Sequence, residues 1–171
     1  MTLATLISIF SDVLACVKAC YGNMAWENFQ RELSSSSLTL QHGDFHAGNF
    51  MWIHGAKQNV KVFDWENVGW GSGPAELCYF YLTIADSKVW AKEQQLKLVR
   101  IYYEELVSAN VQVKDEMDFN LCWKQFVLGG FRWHLLYMPF VDLDPYGGPY
   151  YFDQYDHFVK IHDIKPDDVV Y

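Results

Sequence analysis

The 171-residue chain is long enough for one domain with a real core, and with 51% hydrophobic and 18% aromatic residues it is not a disordered chain. A formal net charge of −8 argues against a general nucleic-acid binder or a binder of anionic membranes. Cys16, Cys20, Cys78 and Cys122 form no C-x-x-C pair, which reads as buried reduced thiols of a cytoplasmic protein. The start, MTLATLISIFSDVLACV, lacks the basic region of a signal peptide and is interrupted by Ser11-Asp12. No apolar run reaches the ~18 residues that a membrane span needs.

In chain order, Leu3, Leu6, Ile7, Phe10, Val13, Leu14 and Val17 recur at helical spacing, and Gly22-Asn23 ends that element. A second helical segment, Met24 to Leu33, places Trp26, Phe29 and Leu33 near one face. Four serines, Ser34 to Ser37, read as a surface loop, and Leu38 to Leu40 as a short strand. Two apolar runs, Phe50 to Ile53 and Val60 to Phe63, flank the polar link His54 to Asn59, which predicts a β-hairpin. Gly69 to Pro74 reads as a structural turn into a helix, since it is not a G-x-x-x-x-G-K-[ST] loop. The next helix, Ala75 to about Ala85 with Pro74 in its first turn, is apolar nearly all round and is predicted to be the central buried one. Helices are predicted over Lys88–Ala109, with Val89, Leu96, Val99, Tyr103 and Leu106 inward, and over Asp115–Met138, with Asp115 as N-cap. Gly129-Gly130 inside the latter implies close packing on a neighbour, and Pro139 is expected to end it. A Pro/Gly loop over 140–151, a last helix from Phe152 to about Ile161 and a poorly fixed tail from His162 complete the chain.

The stretch QHGDFHAGNFMWIHGAKQNVKVFDWE, Gln41 to Glu66, carries the chemistry. Asp44 and Asn49 are five residues apart, and a hairpin returns Asp64 beside Asn49. Phosphoryl transfer needs a carboxylate to orient and deprotonate the attacking hydroxyl, and hard oxygens to hold Mg²⁺ against the phosphates. His42-Gly43-Asp44 and Asn49 follow the H-R-D-x-x-x-x-N spacing of protein kinases, and Asp64 stands where D-F-G begins.

HGDFHAGN followed by VFDWENVGWGSGPAEL resembles the aminoglycoside phosphotransferase and choline kinase group, and most of all its ecdysteroid-kinase-like branch. The resemblance implies a protein-kinase-like fold and ATP-dependent phosphorylation of a small-molecule hydroxyl, with ATP and Mg²⁺ as cofactors and no nucleic-acid or membrane partner. It implies Asp44 as catalytic base and Asn49 and Asp64 as Mg²⁺ ligands. It places His46 where protein kinases carry the catalytic-loop lysine, so that His46 either contacts a phosphate oxygen or braces Asp44. Glu76 stands where the family more often has Asp, which leaves a loop-bracing role for it open, and Glu66 is a third acidic group near the metal or a surface residue. An acidic chain still binds ATP, because Mg²⁺ and a few local cations hold the phosphates.

The expected fold is α+β, mainly α: one domain over 1–171, the C-terminal lobe of a protein-kinase-like fold with a small hairpin at the active site. Before Gly43 the only glycine is Gly22, and before Gln41 the only basic residues are Lys18 and Arg31. A glycine-rich strand-turn-strand and a strand lysine are therefore not in this chain, and the lobe that covers ATP is expected from a partner or a longer product. This predicts an open site bordered by an apolar patch from the first helices or from Phe50 and Trp52. Two other readings stand beside the kinase. One is a kinase-like binding or regulatory module without catalysis. The other is a metal-dependent hydrolase using His42, Asp44, His46 and Asp64, against which Gly43 and Gly48 argue for a loop rather than a strand. His42 itself reads as structural. For the acceptor, Trp123, Phe131, Trp133, Tyr137, Tyr146 and Tyr150 are cage or core residues, and with Asp142, Asp144 and Asp153 they favour a cationic or polyhydroxylated molecule.

Overall fold

The computed structural model describes residues 11–35, 38–53, 60–84, 91–109, 118–141 and 148–170. Helices dominate. In chain order they are α1 (Ser11–Gly22), α2 (Trp26–Ser35), α3 (Gly73–Ile84), α4 (Lys92–Ser108), α5 (Phe119–Lys124), α6 (Gly130–Val141) and α7 (Gly148–His162). Four short strands, β1 (Thr39–Gln41), β2 (Phe50–Trp52), β3 (Val60–Val62) and β4 (Gly69–Gly71), form two antiparallel pairs. The expected class, α+β and mainly α, is what the chain adopts.

The hairpin strands lie where the two apolar runs place them, with Phe50 opposite Val62 and Trp52 opposite Val60. Its polar link, 54–59, lies outside the described residues, as do 1–10 of the first predicted helix and the stretches 142–147 and 110–117. The second pair is a departure. Gly69-Trp70-Gly71 is strand, not simple turn, and pairs with β1 from Thr39↔Gly71 to Gln41↔Gly69. Glycine is a poor strand former alone, but at Gly71 an added Cβ would meet the Gln41 side chain at 1.8 Å. The Gln41 amide, which donates to the Ser72 carbonyl at 2.6 Å, lies over Gly71 in the space that a side chain would take.

The core gathers around α3. Cys78, Tyr81 and Leu82 of α3 join Val13, Cys16 and Cys20 of α1, Val99 of α4, Phe126 and Phe131, and Tyr155, Phe158 and Val159 of α7. All four cysteines are free and buried, as their spacing suggested. α3 is the central helix, as its all-round apolar sequence implied, packing on α4, α6 and α7. Gly130 has the expected reason: an added Cβ there would meet Cys78 Cβ at 2.1 Å and the Ala75 carbonyl oxygen at 2.8 Å.

Several boundaries differ from expectation. Ala91 is extended, so α4 begins at Lys92 rather than Lys88. Asp115 lies outside the described residues, and the observed N-cap is Asp118, whose carboxylate accepts from the Leu121 N–H at 2.7 Å. The long helix is interrupted by a π-helical turn over Gln125–Gly129. It then runs through Pro139 to Val141; the proline forgoes its own ladder bond with only two residues of helix left to follow. α7 begins at Gly148, earlier than Phe152. The tail is anchored rather than loose. A 3₁₀ turn over Pro166–Val169 packs on α1, Val169 is fully buried, and Arg132 donates to the carbonyls of Asp168 and Val170. Among the described residues, no helix is long and apolar enough to cross a membrane.

Candidate active site

The loop from His42 to Asn49 sits on α3, held at several points. Phe45 and Phe50, at either end of its second half, pack against each other at 4.7 Å and against Phe80 of α3 at 5.2 and 5.3 Å between ring centroids. Gly43 adopts φ +84°, a left-handed conformation that a Cβ disfavours, and an added Cβ would meet the Asn67 carbonyl oxygen at 2.1 Å. Its N–H donates to Oε1 of Glu76 at 2.7 Å. Glu76 therefore does brace the loop, its longer side chain notwithstanding.

His42 is buried and structural. Its Nε2 donates to the Phe63 carbonyl at 2.8 Å, and its Nδ1 accepts from the Asp44 N–H at 3.3 Å. These two partners require the tautomer protonated at Nε2. Trp65 leans on the same ring at 4.6 Å. One imidazole thus ties the catalytic loop to the segment that carries Asp64.

Asp44 is half-buried, and its carboxylate is held from two sides. Oδ1 accepts from the Tyr79 hydroxyl at 2.8 Å. Oδ2 lies 3.4 Å from Nδ2 of Asn49 and 3.4 Å from Nε2 of His46. Asn49 is buried at the end of a 3₁₀ turn, and its Nδ2 donates to the main-chain oxygen of Asp44 at 2.9 Å. A carbonyl only accepts, so this bond fixes the amide orientation and makes the side-chain oxygen Oδ1 the atom that could face a metal. His46 Nδ1 accepts from the Gly48 N–H at 3.0 Å, which puts its proton on Nε2, toward Asp44. The bracing role for His46 is the one this geometry supports.

Asp64 enters from the hairpin. The Phe63 N–H donates to the Asn49 carbonyl at 3.1 Å and extends the β2–β3 ladder by one step. Asp64 is the next residue, exposed, with φ +66°. A non-glycine residue in that region is uncommon and turns the chain sharply out of the strand. The backbone thus sets Asn49 beside Phe63, with Asp64 one residue beyond as the chain leaves the strand; an amide and a carboxylate are both hard oxygen donors suited to Mg²⁺. Among the described residues no group of three or more His, Cys, Asp or Glu could hold a metal, which a transition-metal hydrolase would need. His42, Asp44 and His46 lie on a loop, not on one face of a strand.

The sequence model of the ecdysteroid kinase-like family matches residues 11–114, a span that includes every residue of this loop and hairpin. The chain belongs to the ecdysteroid kinase-like family. No curated protein and no solved structure matches it. Membership of this kinase-like family supports a phosphotransferase chemistry for the site and agrees with the resemblance carried by HGDFHAGN and its second motif.

Beside the loop of this ecdysteroid kinase-like chain opens a cleft of about 520 Å³, lined by Gly43, Asn67, Trp70, Glu76, Tyr79 and Trp133 among others. Among the described residues no lysine or arginine lines it, and Trp70 and Trp133 are 72% and 40% exposed. Of the aromatics singled out as cage or core, Phe131 is core, Trp123 stacks on core Phe126 and Trp133 faces the cleft. Tyr137 and Tyr146 lie outside the described side chains, as do Asp142 and Asp144. Exposed apolar residues occur on the strands and turns next to the loop in sequence, Leu40, Met51, Trp52, Val60, Phe63, Trp65, Val68 and Trp70, with Met24, between α1 and α2, and Trp26 of α2 also exposed. Phe50, expected in that patch, packs inward on Phe80 instead.

Tyr79 was the functional candidate that sequence reasoning passed over, as one more apolar position of α3. A signal existed. Tyr79 is three residues after Glu76, so a brace at Glu76 puts the Tyr79 hydroxyl on the helix face that looks at the loop.

Proposed function

We propose that the chain is the catalytic half of a Mg²⁺- and ATP-dependent kinase that phosphorylates a hydroxyl of a small molecule. The observation that carries the reading is the single ladder step linking Phe63 to Asn49 while Asn49 ties down Asp44. It gives one loop a candidate base and sets two candidate metal ligands at neighbouring positions. Asp44 would orient the acceptor hydroxyl and take its proton. Asn49 and Asp64 would hold Mg²⁺, which when bound offsets the charge of the phosphates. His46 would hold Asp44 from the solvent side and face the nucleotide. The acceptor would reach Asp44 through the cleft walled by Trp70 and Trp133.

The exposed apolar band around the site supports a covering lobe, supplied by a longer product or by a partner, as the element that closes over ATP. The same band would equally serve a kinase-like binding module, the second reading. A cytoplasmic setting, where ATP is abundant and thiols stay reduced, goes with either.

The test is phosphoryl transfer from γ-labelled ATP to a panel of small-molecule alcohols with Mg²⁺, using the chain alone and with its covering lobe restored. Label transfer that disappears in Asp44→Asn is the expected result. Nucleotide binding without transfer to any alcohol, or to water, would favour the binding module.

A further inference from the structure

We propose that Tyr79 is a positioning residue for Asp44: its hydroxyl, backed by a buried column of His134 and Tyr155, sets which carboxylate oxygen is left to receive the acceptor's proton. The inference rests on the phosphotransfer reading of Asp44.

The Asp44 side chain has one short contact and two long ones. The Tyr79 hydroxyl holds Oδ1 at 2.8 Å, while Asn49 and His46 each stand 3.4 Å from Oδ2. A carboxylate turns easily about its last torsion. A short hydrogen bond to a charged oxygen is the strong kind, and it fixes the plane of the group. Oδ2, with only long contacts, is then the oxygen left to turn toward the acceptor. As the acceptor oxygen bonds to phosphorus, its O–H breaks toward Oδ2, and the bridging oxygen leaves with ADP.

Behind Tyr79 the support is built from three helices. The Tyr79 ring of α3 stacks on His134 of α6, with centroids 5.1 Å apart and planes 18° from parallel. His134 is buried, and its Nδ1 lies 3.0 Å from the hydroxyl of buried Tyr155 of α7. Burial pushes the His134 pKa down to about 3, and the Tyr79 carbonyl, which the ring approaches without closing a hydrogen bond of ordinary geometry, opposes this only weakly. The column is therefore neutral and adds no competing charge behind the carboxylate. A core tyrosine that merely needs a partner would not require this arrangement. Tyr79 is half-buried and lines the cleft, so water could satisfy its hydroxyl there.

The experiment uses the full chain with tyrosine labelled at ¹³Cζ, and Tyr79→Phe identifies the resonance by its loss. At pH 7 the Tyr79 signal is expected to move in Asp44→Asn and to stay in place in Asp64→Asn. A Tyr79 signal indifferent to Asp44→Asn overturns the proposal. In Mg-ATP turnover, with water or an alcohol as acceptor, Tyr79→Phe is expected to lower kcat by about 10- to 100-fold, as for loss of a hydrogen bond to a charged group. The KM for ATP and the melting temperature are expected to stay unchanged. A variant with unchanged kcat, or one whose KM for ATP rises and whose melting temperature falls along with kcat, overturns a positioning role. If the chain turns over no Mg-ATP even with its covering lobe restored, the phosphotransfer reading fails, and the ¹³C signal alone then decides whether Tyr79 holds Asp44.

Discussion

The main-chain N–H of Gly43 donates to the Glu76 carboxylate at 2.7 Å, joining the loop that carries Asp44 to the first turn of α3. The loop is thereby fixed to the central helix next to the residue whose function depends on it. Glu76→Ala should leave that N–H without its charged partner and cost about 1.5 kcal/mol, at the low end for hydrogen bonds to charged groups because Glu76 is partly exposed. Gly43→Ala should cost more, about 2 kcal/mol or above, since the residue must hold a positive φ and its Cβ would strike the Asn67 carbonyl. Urea denaturation of the two variants checks both values, and a Gly43→Ala chain as stable as the unmodified one would contradict the loop geometry.

Asp44, Asn49 and Asp64 should give three different phenotypes in a form that transfers phosphoryl groups. Asp64→Asn should remove most Mg²⁺ affinity, because a charged hard ligand becomes a neutral one. Asp44→Asn should keep nucleotide and metal binding but lower turnover by 10²–10⁴-fold, the usual contribution of a general base. Asn49→Ala should weaken Mg²⁺-dependent steps and recover partly at high Mg²⁺. Calorimetric Mg²⁺ and nucleotide titrations beside turnover separate the three, and full turnover in Asp44→Asn would remove the base from the scheme.

Two histidines make stability fall in mild acid. Burial lowers the pKa of His134 to about 3, and burial followed by the charges of Lys92 and His157 lowers that of His162 to about 4. In the unfolded chain both titrate near 6.5. The unfolded state then binds protons that the folded state refuses, so the stability they contribute is present above about pH 6.5. It is lost as pH falls through about 4 for His162 and about 3 for His134. The slope reaches up to about 2.7 kcal/mol per pH unit for two such groups. Urea midpoints at pH 7, 6 and 5 should drop in sequence, and His162→Gln should flatten the curve.

Gly130→Ala offers a test with a sign. Helix propensity alone favours alanine by about 1 kcal/mol. The contact with Cys78 and Ala75 opposes it, because overpacking between helices costs about 1–3 kcal/mol, occasionally more. The expected result is net destabilisation, read as a lower urea midpoint. A stabilised variant would mean that α3 and the π-helical region lie further apart than described.

The thiols should be silent until the chain unfolds. All four cysteines are free and buried; burial raises the thiol pKa of Cys16 and Cys122 to about 11 and pushes that of Cys78 well above the ordinary thiol range. A thiolate is the reactive form. A disulfide reagent at pH 8 should therefore find almost no reactive thiol in the native chain and all four in urea.

The site was more legible in the sequence than the scaffold around it. The spacing from Asp44 to Asn49, and two apolar runs about a polar link, sufficed to place the loop and the hairpin. Each is a local relation over a few residues. What escaped depends on distant partners. Gly69-Trp70-Gly71, one tryptophan between two glycines, is a strand because β1, thirty residues earlier, lies beside it. Gln95, a polar residue among the charges of α4, is buried because its amide donates to Tyr81 and accepts from His162. Val169 looked like tail, and it is core because α1 and Arg132 hold the turn around it. Two aspartates three residues apart, Asp115 and Asp118, compete for one cap, and nothing local ranks them.

The π-helical turn at Gln125–Gly129 sets the angular phase of everything that follows it. A π turn carries about one residue more than the α-helix it replaces, and each residue of an α-helix turns the chain by about 100°. The surplus residue is absorbed within that one turn, so α6 keeps the phase it would have without it. Were the whole run from Phe119 to Val141 to wind as plain α-helix with every residue kept, α6 would be rotated by about that angle relative to α5, carrying His134 away from Tyr79 and Trp133 off the wall of the cleft. Deleting Leu128 should therefore remove the π turn and leave the Tyr79–His134 ring-current signature in place; its loss in an otherwise helical deletion variant would contradict this phase. The orientation of the cleft wall thus rests on how one surplus residue is absorbed, a matter of phase rather than of side-chain chemistry.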